Sequence, residues 1–211
     1  MRAKGENTLK IRLEEPRDYQ LTEELTRDAF WNKYHPGCSE HYVLHQFRDR
    51  SEFVPELDYV TEDAGQILAH IMYARAEIQL DTGGVLPLVV FGPVSVRPDR
   101  QGEGIGSAII RHTMEQAKRM GFGAVAITGN PEYYKRFGFV SGHSMGIYYG
   151  ETPRTEEVPF FLVRELIPGY LKDVSGTYFD PAGYQVSQQD VDEFDRRFPP
   201  REKLRLPGQL E

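Results

Sequence analysis

The sequence predicts a mixed α/β (α+β) fold: a mostly antiparallel sheet with one parallel strand pair at its centre, flanked by helices and followed by a C-terminal extension. Three observations carry that expectation. Between Leu57 and Arg97, β-branched runs are separated by the short turn sequences Asp63-Ala64-Gly65 and Asp81-Thr82-Gly83-Gly84, the pattern of a hairpin meander. An amphipathic helical stretch, Gly104 to Met120, then lies between two apolar runs, and a helix crossing between strands makes them parallel. Beyond Pro168 the composition shifts to turn formers: Pro168-Gly169, Ser175-Gly176 and Asp180-Pro181-Ala182-Gly183.

Taken in order, Thr8 to Leu13 alternates and reads as a first strand. Pro16 to Trp31 reads as a helix with proline in its first turn. Ser39 offers an N-cap to a second, short helix through HYVLHQFRD. Strands follow at Leu57–Glu62, Ile67–Leu80 and Val85–Arg97. In Gly104–Met120, Ile105, Ile109, Ile110, Met114, Ala117 and Met120 fall on one half of the helix. Arg111, Glu115, Lys118 and Arg119 fall on the other, and Gly121 stops it. Ala124–Thr128 is a short buried strand, Pro131–Phe137 a short helix and Val158–Leu166 a late strand. A last helix has Ser187 as its cap, Asp190, Asp192 and Glu193 early, and Arg196 and Arg197 at its end before Pro199-Pro200. Its stripe of Val191, Phe194 and Phe198 suits packing on the chain's own core.

Two segments speak to function. Val94 to Ser107, VSVRPDRQGEGIGS, runs from a strand into a glycine-rich turn that opens a helix, and such a turn aims free N–H groups and a positive dipole end at one spot suited to a phosphate. A Walker loop would need lysine after its glycines, where Gly104-Ile105-Gly106-Ser107 has none. A dinucleotide fingerprint would need a third glycine at Ser107 and a carboxylate downstream, which GFGAVAIT (Gly121–Thr128) does not offer. The second segment, Gly129 to Phe139 (GNPEYYKRFGF), presents a tyrosine pair before a Gly-Phe step. Together the segments resemble the GNAT superfamily of acyl-CoA-dependent N-acyltransferases. Gln101, Gly104 and Gly106 match its Gln/Arg-x-x-Gly-x-Gly/Ala loop, and Tyr134, Gly138 and Phe139 match its Tyr-x-x-x-Gly-Phe. The string GNPEYYKRFGF looks like a poorly characterised branch, in which aspartate is more frequent at the position of Asn130.

The resemblance implies a GNAT N-acyltransferase domain over residues 1–166, with residues 167–211 as an extension. It implies acetyl-CoA as co-substrate, held by Val94, Ser95, Val96, Gln101, Gly102, Glu103, Gly104, Ile105, Gly106, Ser107 and Asn130. It also implies that Tyr134 protonates the departing thiolate, with Tyr133 packing beside it. Proline and glycine interrupt the strand at Gly92-Pro93, so a bulge is expected there that frees backbone donors near the thioester. An alkylamine is protonated at pH 7, so a base or water relay is required. The strand Leu88–Val96 has no carboxylate, which leaves Glu40, His35, His41, His45, Glu77 or water. Trp31, Tyr34, Tyr148 and Tyr149 are available to the acceptor pocket. Cys38 has no local motif of a nucleophile, and direct transfer needs none.

Composition bounds the remaining classes. At 211 residues the chain is one domain or one domain with an extension, and a net charge of −7 argues against a nucleic-acid surface. It favours a cationic amine, on a small molecule or a peptide, as partner. No apolar run approaches the roughly 18 residues of a membrane span. MRAKGENTLK lacks a signal-peptide core, and the single cysteine suits a reducing compartment, so a cytoplasmic protein, monomer or homodimer, is expected. The six histidines lack metal-ligand spacing, and no structural metal is expected. Two alternatives share the fold: a sensor that binds acyl-CoA without turnover, and a transferase of a longer acyl chain.

Overall fold

The computed structural model describes residues 9–210. In chain order its strands are β1 (Lys10–Leu13), β2 (Tyr59–Asp63), β3 (Gln66–Leu80), β4 (Val85–Val96), β5 (Ala124–Thr128), β6 (Val140–Ser141), β7 (Ile147–Tyr149), β8 (Phe161–Glu165) and β9 (Gly176–Tyr178). Its helices are α1 (Tyr19–Phe30), α2 (Glu40–Phe47), α3 (Ile105–Arg119), α4 (Pro131–Tyr134) and α5 (Gln188–Asp195). The sheet runs β1-β2-β3-β4-β5-β8-β6, antiparallel throughout except for the central parallel pair β4–β5. The expected mixed, mostly antiparallel fold is therefore the observed one. A second, peripheral parallel pair joins β7 to β9, and β9 lies antiparallel on the free end of β3.

Each face of the sheet is closed by the residues whose spacing aims them there. On one side α3 buries Ile105, Ile109, Ile110, Met114 and Ala117 against Ile71, Tyr73, Val89 and Phe91. Met120 departs from the expected stripe: it caps the helix C-terminus and is 43% exposed. On the other side α2 packs Val43, Leu44 and Phe47 on Met72, Ala74 and Val90. The two sets alternate along β3 and β4, as the two-residue period of a strand demands.

Several boundaries differ from the expected ones. Thr8 lies outside the described residues, so the first strand is described from Lys10. Pro16–Asp18 forms a 3-10 turn ahead of α1. Residues Pro55–Leu57 are another 3-10 turn with Leu57 fully buried, which delays β2 to Tyr59. Ser39 occupies the N-cap position of α2 without a side-chain cap; its own N–H donates to Glu40 Oε2 (2.9 Å). Strand β8 begins at Phe161 because the chain turns at Val158, whose carbonyl accepts from the Phe161 N–H. Strands β6, β7 and β9, two or three residues each, have no counterpart in the sequence reading.

The segment after Leu166 packs on the rest of the chain along its length. Ser187 caps α5 by accepting from the Asp190 N–H, and Val191, Phe194 and Phe198 are buried. Phe194 meets the rings of His41, Tyr42 and His45. The end of α5 is anchored by charge: Arg27, 2% exposed, forms two hydrogen bonds to Asp195 (2.6 and 3.1 Å) and lies over Trp31.

Candidate active site

Strands β4 and β5 pair for two residues, Val89 with Val125 and Val90 with Ala126. Beyond them β5 stays with β8 as far as Thr128–Phe161, while β4 stays with β3 as far as Val96–Ala69. The two strands splay, and the β5-facing edge of β4 past Val90 has no strand partner. The expected bulge sits in that opening, where the register slips between Ile71 and Tyr73 opposite Gly92-Pro93. Gly92 has φ +143°, a backbone state that L side chains rarely adopt. Its carbonyl accepts from Tyr184 Oη (3.0 Å).

The strand leads through a 3-10 turn, Pro98–Arg100, into the glycine-rich loop. Gly102 and Gly104 have φ +82° and +85°, and a Cβ at either would meet no atom within 4 Å: the loop is an open cradle. Gly104 is the N-cap of α3, whose first-turn N–H groups lack intrahelical acceptors and carry the positive dipole end. Gly106 serves a different need, since its Cβ would come within 3.2 Å of Val96 Cγ2 and 3.5 Å of Tyr133 Oη. Gln101 donates to Val96 O (3.1 Å) and Glu103 pairs with Arg100 (2.8 Å), so both side chains brace the loop. Ile105 buries its side chain and offers the loop its backbone, while Ser107 is half-buried in the first turn. Val94 and Val96 pack toward α3, whereas Ser95 turns the other way and bonds Thr26 (2.8 Å), leaving its backbone for the site. The end of β4 and the glycine-rich loop are tied together by the Gln101–Val96 hydrogen bond. Asn130 is the N-cap of α4, its Oδ1 accepting from Glu132 N–H (2.9 Å).

Helix α4 aims Tyr134 at the splayed strands. Its ring lies against Phe91, Phe139 and Tyr133, with centroids 6.0, 5.8 and 4.9 Å away. Gly129 makes room, because a Cβ there would stand 2.5 Å from Tyr134 Cε2. Among the described residues the Tyr134 hydroxyl makes no hydrogen bond. Burial pushes the phenol well above its ordinary pKa, with smaller contributions from Tyr133 and Tyr34. It is neutral at physiological pH.

The five base candidates separate by environment. His41 is fully buried, its Nδ1 3.2 Å from Cys38 Sγ and its Nε2 3.2 Å from Asp195, and burial pushes its pKa down to about 4. His45 pairs with Glu23 (2.9 Å) and lies against Phe194. His35 lies 3.4 Å from the Ser39 hydroxyl. Glu77 is exposed and faces Pro87, five residues before Gly92 along β4, or roughly 17 Å at the rise of a strand. Glu40 differs from all four. Burial raises its pKa, and among the described residues it has no ion pair; its charge reaches the Tyr34 phenol, which in turn acts on Tyr134. Cys38 is buried and its thiol is pushed far up, which removes it as a nucleophile.

Of the expected acceptor aromatics, Tyr34 packs on Phe30 and is 41% exposed. Trp31 is occupied by Arg27 and by Glu202 O, and Tyr148 lies under Arg154. Tyr149 donates to Asp180. Sequence reasoning passed over Tyr184, Asp180, Arg27, Asp195 and Asn32, whose partners stand far along the chain. It also passed over a buried network in which Glu14, Asp58 and His70 bring ligand atoms within 4.8 Å of one another. His70 Nε2 lies 2.7 Å from Asp58, and Arg48 donates to Glu14 (3.0 Å) and to Glu23 (2.6 Å). Burial pushes the Glu14 carboxyl up to about 7, against the opposite pull of His70 and Arg48.

A glycine cradle on a helix N-terminus, beside a splayed parallel pair with a tyrosine aimed into the gap, is the architecture of an acyl-CoA-dependent acyltransferase. The acetyltransferase (GNAT) domain family matches residues 10–141, more than half of the chain, and the protein belongs to that family of N-acetyltransferases. It is similar to the uncharacterized N-acetyltransferase YhbS of Escherichia coli K12, with 26% identity over 168 residues, 79% of this chain and 92% of that one. The crystal structure of Escherichia coli YhbS in complex with CoA has a TM-score of 0.74 at 21% identity, covering 87% of this chain and 96% of that chain. A GNAT acetyltransferase of Brucella melitensis, solved with acetyl-CoA, has a TM-score of 0.67 at 26% identity, covering 85% and 100%. No described helix is long and apolar enough to cross a membrane.

Proposed function

We propose that the chain moves an acetyl group from acetyl-CoA to a primary amine, on a small molecule or a peptide, by direct attack in the gap between β4 and β5. The observation that carries this reading is the splay of β4 from β5 after two paired residues, with the open glycine turn at the end of β4 and the Tyr134 ring against Phe91 of the same strand. The N–H groups of Gly102–Ser107 meet the pyrophosphate, and the backbone of Val94–Val96 holds the pantetheine arm and polarises the thioester carbonyl. Glu40 receives the proton of the acceptor ammonium, directly or through water, because burial raises its pKa and makes it a stronger base than an exposed carboxylate. The amine nitrogen then bonds to the carbonyl carbon, and the tetrahedral intermediate collapses with cleavage of the C–S bond. The attacking nitrogen sheds its second proton as the amide forms; Tyr134 donates its proton to the thiolate and recovers that second one, directly or through water, while the proton first taken by Glu40 passes to solvent. Residues 10–166 carry these groups, and residues 167–210 buttress the acceptor side through Tyr184 and α5.

Thiol release from acetyl-CoA across a panel of alkylamines, arylamines and peptide N-termini tests this reading. Turnover with a primary amine, and none with water alone at a comparable rate, is the expected result. Tight acetyl-CoA binding without turnover on any acceptor would favour the sensor, and faster transfer from longer thioesters would favour the long-chain enzyme.

A further inference from the structure

The residues after α5 do not trail into solvent but return to the loop that joins α1 to α2. Five hydrogen bonds make this contact. Trp31 Nε1 and Asn32 Nδ2 both donate to Glu202 O (3.0 and 3.1 Å). The Leu204 N–H donates to Asn32 Oδ1 (3.0 Å), Gln209 Nε2 to Asn32 O (2.9 Å) and the Leu210 N–H to Tyr34 O (2.7 Å). The tail is itself folded around Gln209, which also donates to Leu204 O and accepts from Leu206 N–H. Lys203 lies along Gly37 and pairs with Asp192 (2.5 Å) on α5.

Asn32 is the hub. It holds a left-handed backbone conformation, φ +57°, which asparagine tolerates better than most residues. Its N–H donates to Gly37 O, and its Oδ1 accepts from Gly37 N–H as well as from the tail. One side chain therefore closes the α1–α2 loop on itself and binds it to the tail. That loop carries Tyr34 and ends at Glu40, the first residue of α2, and the helix before it is fastened to β4 where Thr26 bonds Ser95 (2.8 Å).

We propose that Glu202–Leu210 is a strap that positions the acceptor-facing loop, with Asn32 and Gln209 as its positioning residues. The proposal rests on the acyl-transfer reading of the site for its consequence and on the hydrogen bonds above for its existence. Surface hydrogen bonds contribute little to global stability, so losing them loosens the loop without unfolding the chain. The strap sets where Tyr34 and Glu40 stand, and hence which amine is accepted, while the acetyl-CoA cradle on the other side of the gap is untouched.

The test uses the full chain with Asn32→Gly, which keeps the left-handed backbone and removes the three side-chain bonds, and separately Gln209→Ala. Trp31 is the sole tryptophan and lies in the contact, so its emission reports release of the strap. Amide hydrogen exchange of residues 33–40 should rise at least ~10-fold, with residues 94–107 unchanged. Acetyl-CoA affinity should stay within about 2-fold, while kcat/KM for 1,4-diaminobutane, phenethylamine or a tetrapeptide N-terminus falls ~10-fold or more. The acid limb of the pH profile should shift as Glu40 changes surroundings. Asn32→Asp, which keeps Oδ1 and loses the Nδ2 donor, should fall between. Loop exchange unchanged in both variants overturns the strap, as does a loosened loop with acceptor kcat/KM and pH profile intact. A chain that binds no acetyl-CoA would instead overturn the transferase reading, and loop exchange would still decide the strap.

Discussion

Replacing Tyr134 with phenylalanine separates chemistry from packing better than any other single change in the site. The ring contacts with Phe91, Phe139 and Tyr133, and the fit over Gly129, involve carbon atoms that phenylalanine retains. The hydroxyl has no hydrogen-bond partner among the described residues, so its removal strands no donor or acceptor. Folding stability should therefore hold within about 1 kcal/mol, with a gain as acceptable as a loss, since an unpartnered half-buried hydroxyl is unfavourable. Loss of a positioned general acid costs ~10²–10⁴-fold in rate, or about 3–5 kcal/mol of transition-state stabilisation. The loss should fall on kcat, with acetyl-CoA affinity unchanged, because the proton is given only as the C–S bond breaks. The acid is active while protonated, so its limb is the alkaline one, and burial moves that limb above the ordinary phenol value of about 10. Wild type and variant should then show parallel plateaus up to about pH 9.5, offset by the lost factor. Stopped-time thiol assays at saturating acetyl-CoA, together with urea melts, measure both quantities. Tyr133→Phe should leave kcat in place and change at most acetyl-CoA affinity, since its hydroxyl borders Gly106. Near-native turnover in a folded Tyr134→Phe chain would refute the assignment and leave thiolate protonation to water.

Three further outcomes are expected. Gly104→Ala places a methyl in open space at φ +85°, so it should cost roughly 1–2 kcal/mol of backbone strain and raise the CoA dissociation constant ~10-fold or more by calorimetry. Glu40→Gln should lower kcat ~10²–10⁴-fold. A base works ionised, so activity falls as pH drops through the Glu40 pKa; burial sets that limb above the usual carboxylate range, and the variant should lose it. Asp195→Ala leaves Arg27 buried without its carboxylate and should destabilise the chain by about 3 kcal/mol in urea melts, the low end for a broken buried pair because Asp195 is 17% exposed. Its acetyl-CoA affinity should be retained.

What was legible in the sequence is what local chemistry decides. The glycine-rich loop is legible because its strand, its turn and its helix are contiguous in Val94–Ser107. The α3 stripe is legible from its period, and it fails at Met120 because the helix ends there and the next turn has no sheet beneath it. The bulge at Gly92-Pro93 follows from the missing donor. Strands β6, β7 and β9 were not legible: two or three residues show no period, and their pairing is set by partners 21 to 100 residues away along the chain. Arg27–Asp195 and Asn32–Gln209 were invisible for the same reason. Each is an ordinary polar pair in sequence whose meaning arises from contacts across more than 160 residues.

The choice of base shows the limit most sharply. Five side chains of suitable type stood equal in the sequence, and burial divides them. His41 is desolvated between Cys38, Asp195 and the rings of Phe194 and Phe198, so it is held neutral but walled off from any acceptor. Glu77 is exposed and pairs with Pro87, five strand residues from Gly92. Glu40 has opposing influences that leave it a carboxylate: desolvation raises its pKa, whereas the α2 N-terminus and the Ser39 N–H favour its ionised form. A carboxylate so balanced changes protonation with little driving force either way, which is what exchange with an amine requires. The α2-facing positions of β4, Leu88 and Val90, are apolar and buried, so the strand itself offers no such group. In the proposed mechanism the N-terminus of α2 supplies it instead, at the end of a loop that the Glu202–Leu210 segment holds by hydrogen bonds.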